Sequence, residues 1–130
     1  MKKVFLGGTC NESTWRNRIV TMLDIGHFNP VVDDWTEACM AREIEERKTC
    51  DLCLYTITPK MTGVYSIAEV VDDSNRRPSR TILVLLKEDD GLVFDKSQWR
   101  SLLAVARMVN RNGGKSFDNL KEAANYINAF

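Results

Sequence analysis

The residues best suited to chemistry lie in Cys50–Pro59 and in the segment Met61–Asn75 that follows. A hydrophobic run ends at Pro59, a short turn follows, and a helical pattern then carries Tyr65 and Glu69 one turn apart. Residues at i and i+4 are neighbours on a helix surface. After a buried strand, they stand near the crevice that open α/β sheets form at the carboxyl ends of their strands. Periodicity alone puts Glu69 on a solvated face, because Val64, Ile67, Ala68, Val70 and Val71 form an apolar arc on the opposite side. Tyr65 beside it suits a pocket or a subunit interface.

Two other segments should converge on the same edge. The turn Gly7-Gly8-Thr9-Cys10-Asn11 follows a short β-type run, Lys3 to Leu6. Small residues let a ligand approach the backbone, and the N–H groups entering a helix favour an anion. The turn lacks the later glycine of a G-x-G-x-x-G fingerprint and the Gly-Lys pair of a Walker A loop, which counts against dinucleotide and nucleoside-triphosphate enzymes. The other segment, Arg42-Glu43-Ile44-Glu45-Glu46-Arg47, has the mixed charges of an exposed helix. Asp51 follows at the start of the buried strand, where a carboxylate can bond neighbouring backbone.

Cys50 and Cys53 form a C-x-x-C among four cysteines. Read as strand residues three apart, they point to opposite faces. No second pair or local histidine completes a zinc site, so reduced, structural cysteines are expected. His27 follows Gly26 at an expected helix end, where a cation suits the dipole; no catalytic role is expected of it.

These groups need elements to position them. Trp15, Ile19, Val20 and Leu23 repeat at helical spacing, and Gly26 should stop that helix. Phe28 to Val32 reads as a second strand, and Thr36 opens a second helix running to about Thr49. Leu52 to Ile57 is nearly all apolar or β-prone, as a strand buried on both faces requires. A third helix spans about Gly63 to Asn75, Thr81 to Leu86 is the clearest strand, and Glu88 to Lys96 is a charged loop. A fourth helix carries Trp99, Leu102, Leu103, Ala106 and Val109; Lys115 to Phe117 is a short edge strand, and Asp118 caps a last helix through Tyr126. Strict β-α alternation predicts a three-layer α/β/α, flavodoxin-like (Rossmann-like) fold with a five-stranded parallel sheet.

The 130 residues fit one domain, 1–130, with a sizeable core. Eighteen basic and 18 acidic side chains give zero formal net charge, which argues against a sequence-independent nucleic-acid binder. No apolar run approaches the ~20 residues of a membrane span. Val4-Phe5-Leu6 is too short for a signal-peptide apolar region, so a cytoplasmic protein is expected.

The order of these features resembles the nucleoside 2-deoxyribosyltransferase-like family and the related deoxynucleoside-monophosphate N-glycohydrolases. Val4-Phe5-Leu6-Gly7-Gly8 is similar to the family's first strand and glycine-rich turn. Glu43, Asp51, the strand through Ile57, Pro59 and Glu69 are similar to its order of acid, aspartate, strand, proline and glutamate. Trp15-Arg16 and Trp35 are similar to a Trp-Arg pair and a later tryptophan in the broader family, and the resemblance covers about residues 3 to 86. It implies Glu69 as nucleophile, with Glu43 contacting the nucleobase or assisting proton transfer. It also implies Phe5, Gly7, Gly8, Thr9, Asp51, Gly63, Tyr65 and Ser66 around the substrate. Gly63 stands where well-known transferases carry an aspartate, and Phe5 where they often carry a tyrosine.

The implied activity is transfer or hydrolysis of the N-glycosidic bond of a (deoxy)nucleoside or its monophosphate, through a covalent glycosyl-enzyme. No metal or redox cofactor is implied, and the expected assembly is a homodimer or larger homo-oligomer. Two rival readings remain open: a TIR-like nicotinamide-nucleotide glycohydrolase, and a non-catalytic nucleotide-sensing or protein-interaction module that kept the fold.

Overall fold

In chain order, the computed structural model of residues 1–130 contains β1 (Lys3–Gly8), α1 (Trp15–Val20), β2 (Gly26–Phe28), α2 (Glu37–Thr49), β3 (Leu52–Ile57) and α3 (Tyr65–Arg76). A short 3₁₀ turn at Pro78–Arg80 leads to β4 (Thr81–Leu85), then β5 (Glu88–Asp89), β6 (Leu92–Val93), α4 (Lys96–Arg111), β7 (Lys115–Phe117) and α5 (Leu120–Ala129). Every residue of β3 and β4 is buried, because both strands are covered on two faces.

The main sheet has the order β2-β1-β3-β4-β7, all pairings parallel. On one face Val4, Leu6, Leu54, Ile82 and Val84 pack against Trp15 and Ile19 of α1 and Ala123, Ala124 and Ile127 of α5. On the other, Phe5, Tyr55, Leu83 and Leu85 pack against Val70 of α3 and Leu102 and Val109 of α4. The architecture is the flavodoxin-like three-layer fold expected. No helix is long and apolar enough to cross a membrane.

Glycine is obligatory at the end of β1. Gly8 has φ +115°, and a Cβ there would lie 2.1 Å from the Thr56 carbonyl oxygen; a Cβ on Gly7 would lie 2.7 Å from the Tyr55 ring. The pair therefore serves the close approach of β1 to β3 before any ligand is considered.

Several local expectations are corrected. The first helix ends at Val20, well short of Gly26, because the Met22 and Leu23 N–H groups bond three residues back, to Ile19 and Val20. The second strand is Gly26–Phe28 instead of Phe28–Val32. Gly26 N–H donates to the Lys2 carbonyl, while Pro30 has no N–H to extend the ladder. His27 consequently lies in this strand and at no helix end. The charged loop contains the hairpin β5–β6, turned by Asp90 (φ 50°) and Gly91 (φ 83°). Asn119, and not Asp118, caps α5, accepting from Glu122 N–H at 2.9 Å.

Cys50 and Cys53 do not point to opposite faces. Cys50 is the residue that ends α2, and both cysteines are buried in the same core layer. Each thiol has its own partner: Cys50 meets Glu46 Oε2 at 3.4 Å, and Cys53 the Arg47 carbonyl at 3.2 Å. Burial pushes both thiols up to about 12.

Candidate active site

From β1 the chain moves outward to β2, whereas β3 lies on the other side of β1 and leads on to β4. This reversal opens a crevice at the carboxyl ends of β1 and β3, the usual ligand position in such sheets. The β1–α1 turn that forms one wall is held from beneath. Trp15 Nε1 donates to the Thr9 carbonyl at 2.7 Å. Arg16 donates from Nε to Leu6 (3.0 Å), from Nη1 to Thr9 (2.7 Å) and from Nη2 to Gly8 (3.2 Å), each time to a carbonyl oxygen. These dipoles stand in for a counter-ion to a buried cation, and burial lowers Arg16 to about 10.

The β3–α3 loop is tied to that wall. Thr58 N–H donates to Thr9 Oγ1 at 3.0 Å. Asn11 Nδ2 donates to the Lys60 carbonyl at 2.9 Å and to Thr62 Oγ1 at 2.7 Å. Two hollows result. The smaller, about 180 Å³, is lined by Thr9, Asn11, Thr62 and Ser66 together with Ile57, Met61 and Gly63. The larger, about 310 Å³, has Phe5, Val32 and Trp35 as apolar lining and Arg16, Glu43 and Glu69 as charged lining. Gly8, Cys10, Tyr65 and Ser66 belong to both, so the two form one continuous crevice.

Glu69 is not on a solvated face. Its side chain is only 12% exposed, whereas Tyr65, on the crevice rim, is 74% exposed. The helix is turned about its axis relative to the expected arc, leaving Val64 and Ala68 outside and Asp73 and Ser74 inside. The cause is polar. Asp73, fully buried, accepts from Arg47 Nη2 at 2.9 Å and Arg77 Nη2 at 2.8 Å, and the Tyr55 hydroxyl also donates to it. Satisfying that carboxylate draws the Glu69–Asp73 side of α3 inward.

Burial pushes Glu69 up to about 7; Arg47, with Nε 3.6 Å from Oε2, opposes the rise, while Glu43 and Asp73 add to it. A group that titrates near neutrality inside a cleft is a candidate reacting group.

Of the residues expected around a substrate, Phe5, Gly7, Gly8, Glu43, Tyr65, Ser66 and Glu69 line the larger hollow, and Thr9 and Gly63 the smaller. Asp51 is not brought here. It precedes β3 at the amino end of the sheet, where its carboxylate accepts from Lys3 N–H at 2.8 Å. Sequence reasoning missed Pro30, Val31 and Val32, which line the larger hollow where a second strand was expected. Arg47 belongs to a segment expected at this edge, but its pairing with Glu69, Tyr55 and Asp73 was not foreseen. The available signal was the Asp72-Asp73 pair inside an amphipathic helix, which calls for a cation nearby, and Tyr55 in a buried run, whose hydroxyl calls for a hydrogen-bond partner.

Fold and site together define a flavodoxin-like α/β protein with an acid-lined crevice at its switch point. Residues 1–89, which contain every crevice residue named above, match the family described as nucleoside 2-deoxyribosyltransferase like. The chain belongs to that family. Comparison with curated proteins gives no match.

Proposed function

We propose that the protein cleaves the N-glycosidic bond of a (deoxy)nucleoside or its monophosphate, with Glu69 as nucleophile. The observation that carries this is a largely buried carboxylate at the switch-point crevice, with a second acid, Glu43, lining the same hollow. Phe5, Val32 and Trp35 supply apolar walls suited to a planar base, and the hydroxyl and amide groups of Asn11, Thr62 and Ser66 suit a sugar.

In this reading the Glu69 carboxylate attacks the anomeric carbon as the C–N bond breaks, through an oxocarbenium-like transition state. Glu43 contacts the departing base or assists its protonation. A second base or a water molecule then takes the glycosyl group from the glutamyl ester and frees Glu69. The chemistry needs no metal or redox cofactor. The reading includes a cytoplasmic protein acting as a homodimer or larger homo-oligomer.

The test is chromatography for free base after incubation with a panel of deoxynucleosides, their monophosphates and a nicotinamide dinucleotide. Release from a nucleoside or monophosphate, abolished by Glu69→Ala in a folded protein, is the expected outcome. Turnover of Glu69→Ala near the wild-type rate would remove Glu69 from the mechanism. Release of nicotinamide alone would move the activity to the TIR-like class, and binding without release to a sensing module.

A further inference from the structure

We infer that Arg47 is a positioning residue for Glu69: braced by Tyr55 and Asp73, its guanidinium pairs with the carboxylate and holds it at the crevice. The inference rests on the reading of Glu69 as the nucleophile. Three elements meet at this point, α2 through Arg47, β3 through Tyr55 and α3 through Asp73. Arg47 Nε lies 3.0 Å from the Tyr55 hydroxyl, and Nη2 lies 2.9 Å from Asp73 Oδ1 and 3.2 Å from Asp72 Oδ2. The hydroxyl it meets donates in turn to Asp73 Oδ2. A planar guanidinium held on several sides in this way has little freedom to swing.

From that fixed position Arg47 reaches Glu69 twice. Nη2 donates to the Glu69 main-chain carbonyl at 3.4 Å, and Nε lies 3.6 Å from carboxylate Oε2. No side-chain hydrogen bond reaches the Glu69 carboxylate, so the ion pair with Arg47 is the contact that holds it where it lines the larger hollow. The charged and titratable groups around Glu69 are Arg47 and Glu43 from α2, Asp73 from its own helix, and Arg16, Cys10 and Tyr65, which line the same hollow; Tyr55 and Asp72 act on it through Arg47, and Arg77 lies behind Asp73. Arg47 is the one cation that forms an ion pair with the Glu69 carboxylate. An opposite charge at this distance stabilises the ionised carboxylate that attack requires, against the burial and neighbouring acids that disfavour it. Phe5, which lines the same hollow, has no hydroxyl to contribute.

The test is carbon-detected NMR titration of glutamate carboxyl groups in the wild type, Arg47→Gln, Arg47→Lys and Tyr55→Phe, paired with the pH profile of base release. Arg47→Gln should raise the Glu69 midpoint by about one pH unit or more. Base release below that midpoint should then fall about tenfold. Arg47→Lys should recover part of both effects, and Tyr55→Phe should move the midpoint the same way by less. An unmoved midpoint in folded Arg47→Gln overturns the inference; should that variant not fold, an unmoved midpoint in Tyr55→Phe does so. A raised midpoint together with a wild type that releases no base supports the Arg47–Glu69 contact and overturns the nucleophile reading instead.

Discussion

At the scale of the residue, Glu69 concentrates the consequences of burial. Its ordinary value is 4.5, and burial raises it to about 7 in the folded chain. The raised value means that folding favours the neutral form. The associated stability is fully present below about 4.5 and is lost as pH climbs towards about 7. Glu69→Gln, which is neutral throughout, should therefore melt higher than the wild type at pH 8, with the gap closing as pH falls to 4. Thermal melts at the two pH values check this; an equal gap at both contradicts it. Cys50 and Cys53 are buried with thiols held up to about 12, whereas Cys10 is exposed and Cys39 partly so, its thiol lowered by the Thr36 hydroxyl. Alkylation of the native protein followed by mass spectrometry should mark Cys10 and Cys39 and spare the other two. Stoichiometric zinc in the purified protein would contradict a purely structural role for the C-x-x-C.

At the scale of the element, the crevice depends on how closely β1 lies against β3. Gly8→Ala places a methyl group against the Thr56 backbone and forces an unfavourable φ. Backbone strain alone costs about 1–3 kcal/mol, and the contact adds to it. Gly63 is the matching control, because a Cβ there meets no atom within 4 Å. Chemical denaturation should show Gly8→Ala strongly destabilised or unfolded and Gly63→Ala close to the wild type. Gly63→Ala then permits a clean assay of whether bulk in the smaller hollow impairs turnover. A Gly8→Ala protein of unchanged midpoint would mean that β1 can move away from β3 without loss.

At the scale of the whole molecule, the crevice mouth gathers exposed apolar side chains. Trp35 is 60% exposed, and Val31, Val32 and Tyr65 stand exposed around the same hollow. Clusters of this kind mark interaction sites. A second copy placed over them would exclude water from the carboxylates and hold them in position. Light scattering should report at least a dimer at micromolar concentration, and Trp35→Asp should shift the population towards monomer with loss of activity. A fully active monomer would contradict this assembly.

The sequence by itself determined the strands that form the centre of the sheet and the order of the elements around them. Leu52–Ile57 and Thr81–Leu85 are nearly all apolar or β-prone, as strands covered on both faces are. The glycine-rich turn, Glu43 and Glu69 were likewise legible, since their order along the chain survives whatever the packing. Tertiary structure alone decided how Glu69 is oriented, where β2 begins, and that Asp51 faces the opposite end of the sheet. A helical wheel treats α3 in isolation, yet its rotation follows from Asp73, whose partner Arg47 is 26 residues away in the chain. An edge strand such as β2 pairs on one side only, so its local apolar pattern is weak and its register comes from Lys2 and Lys3. Charge and burial act through space across elements, and that information is absent from any local reading of the chain.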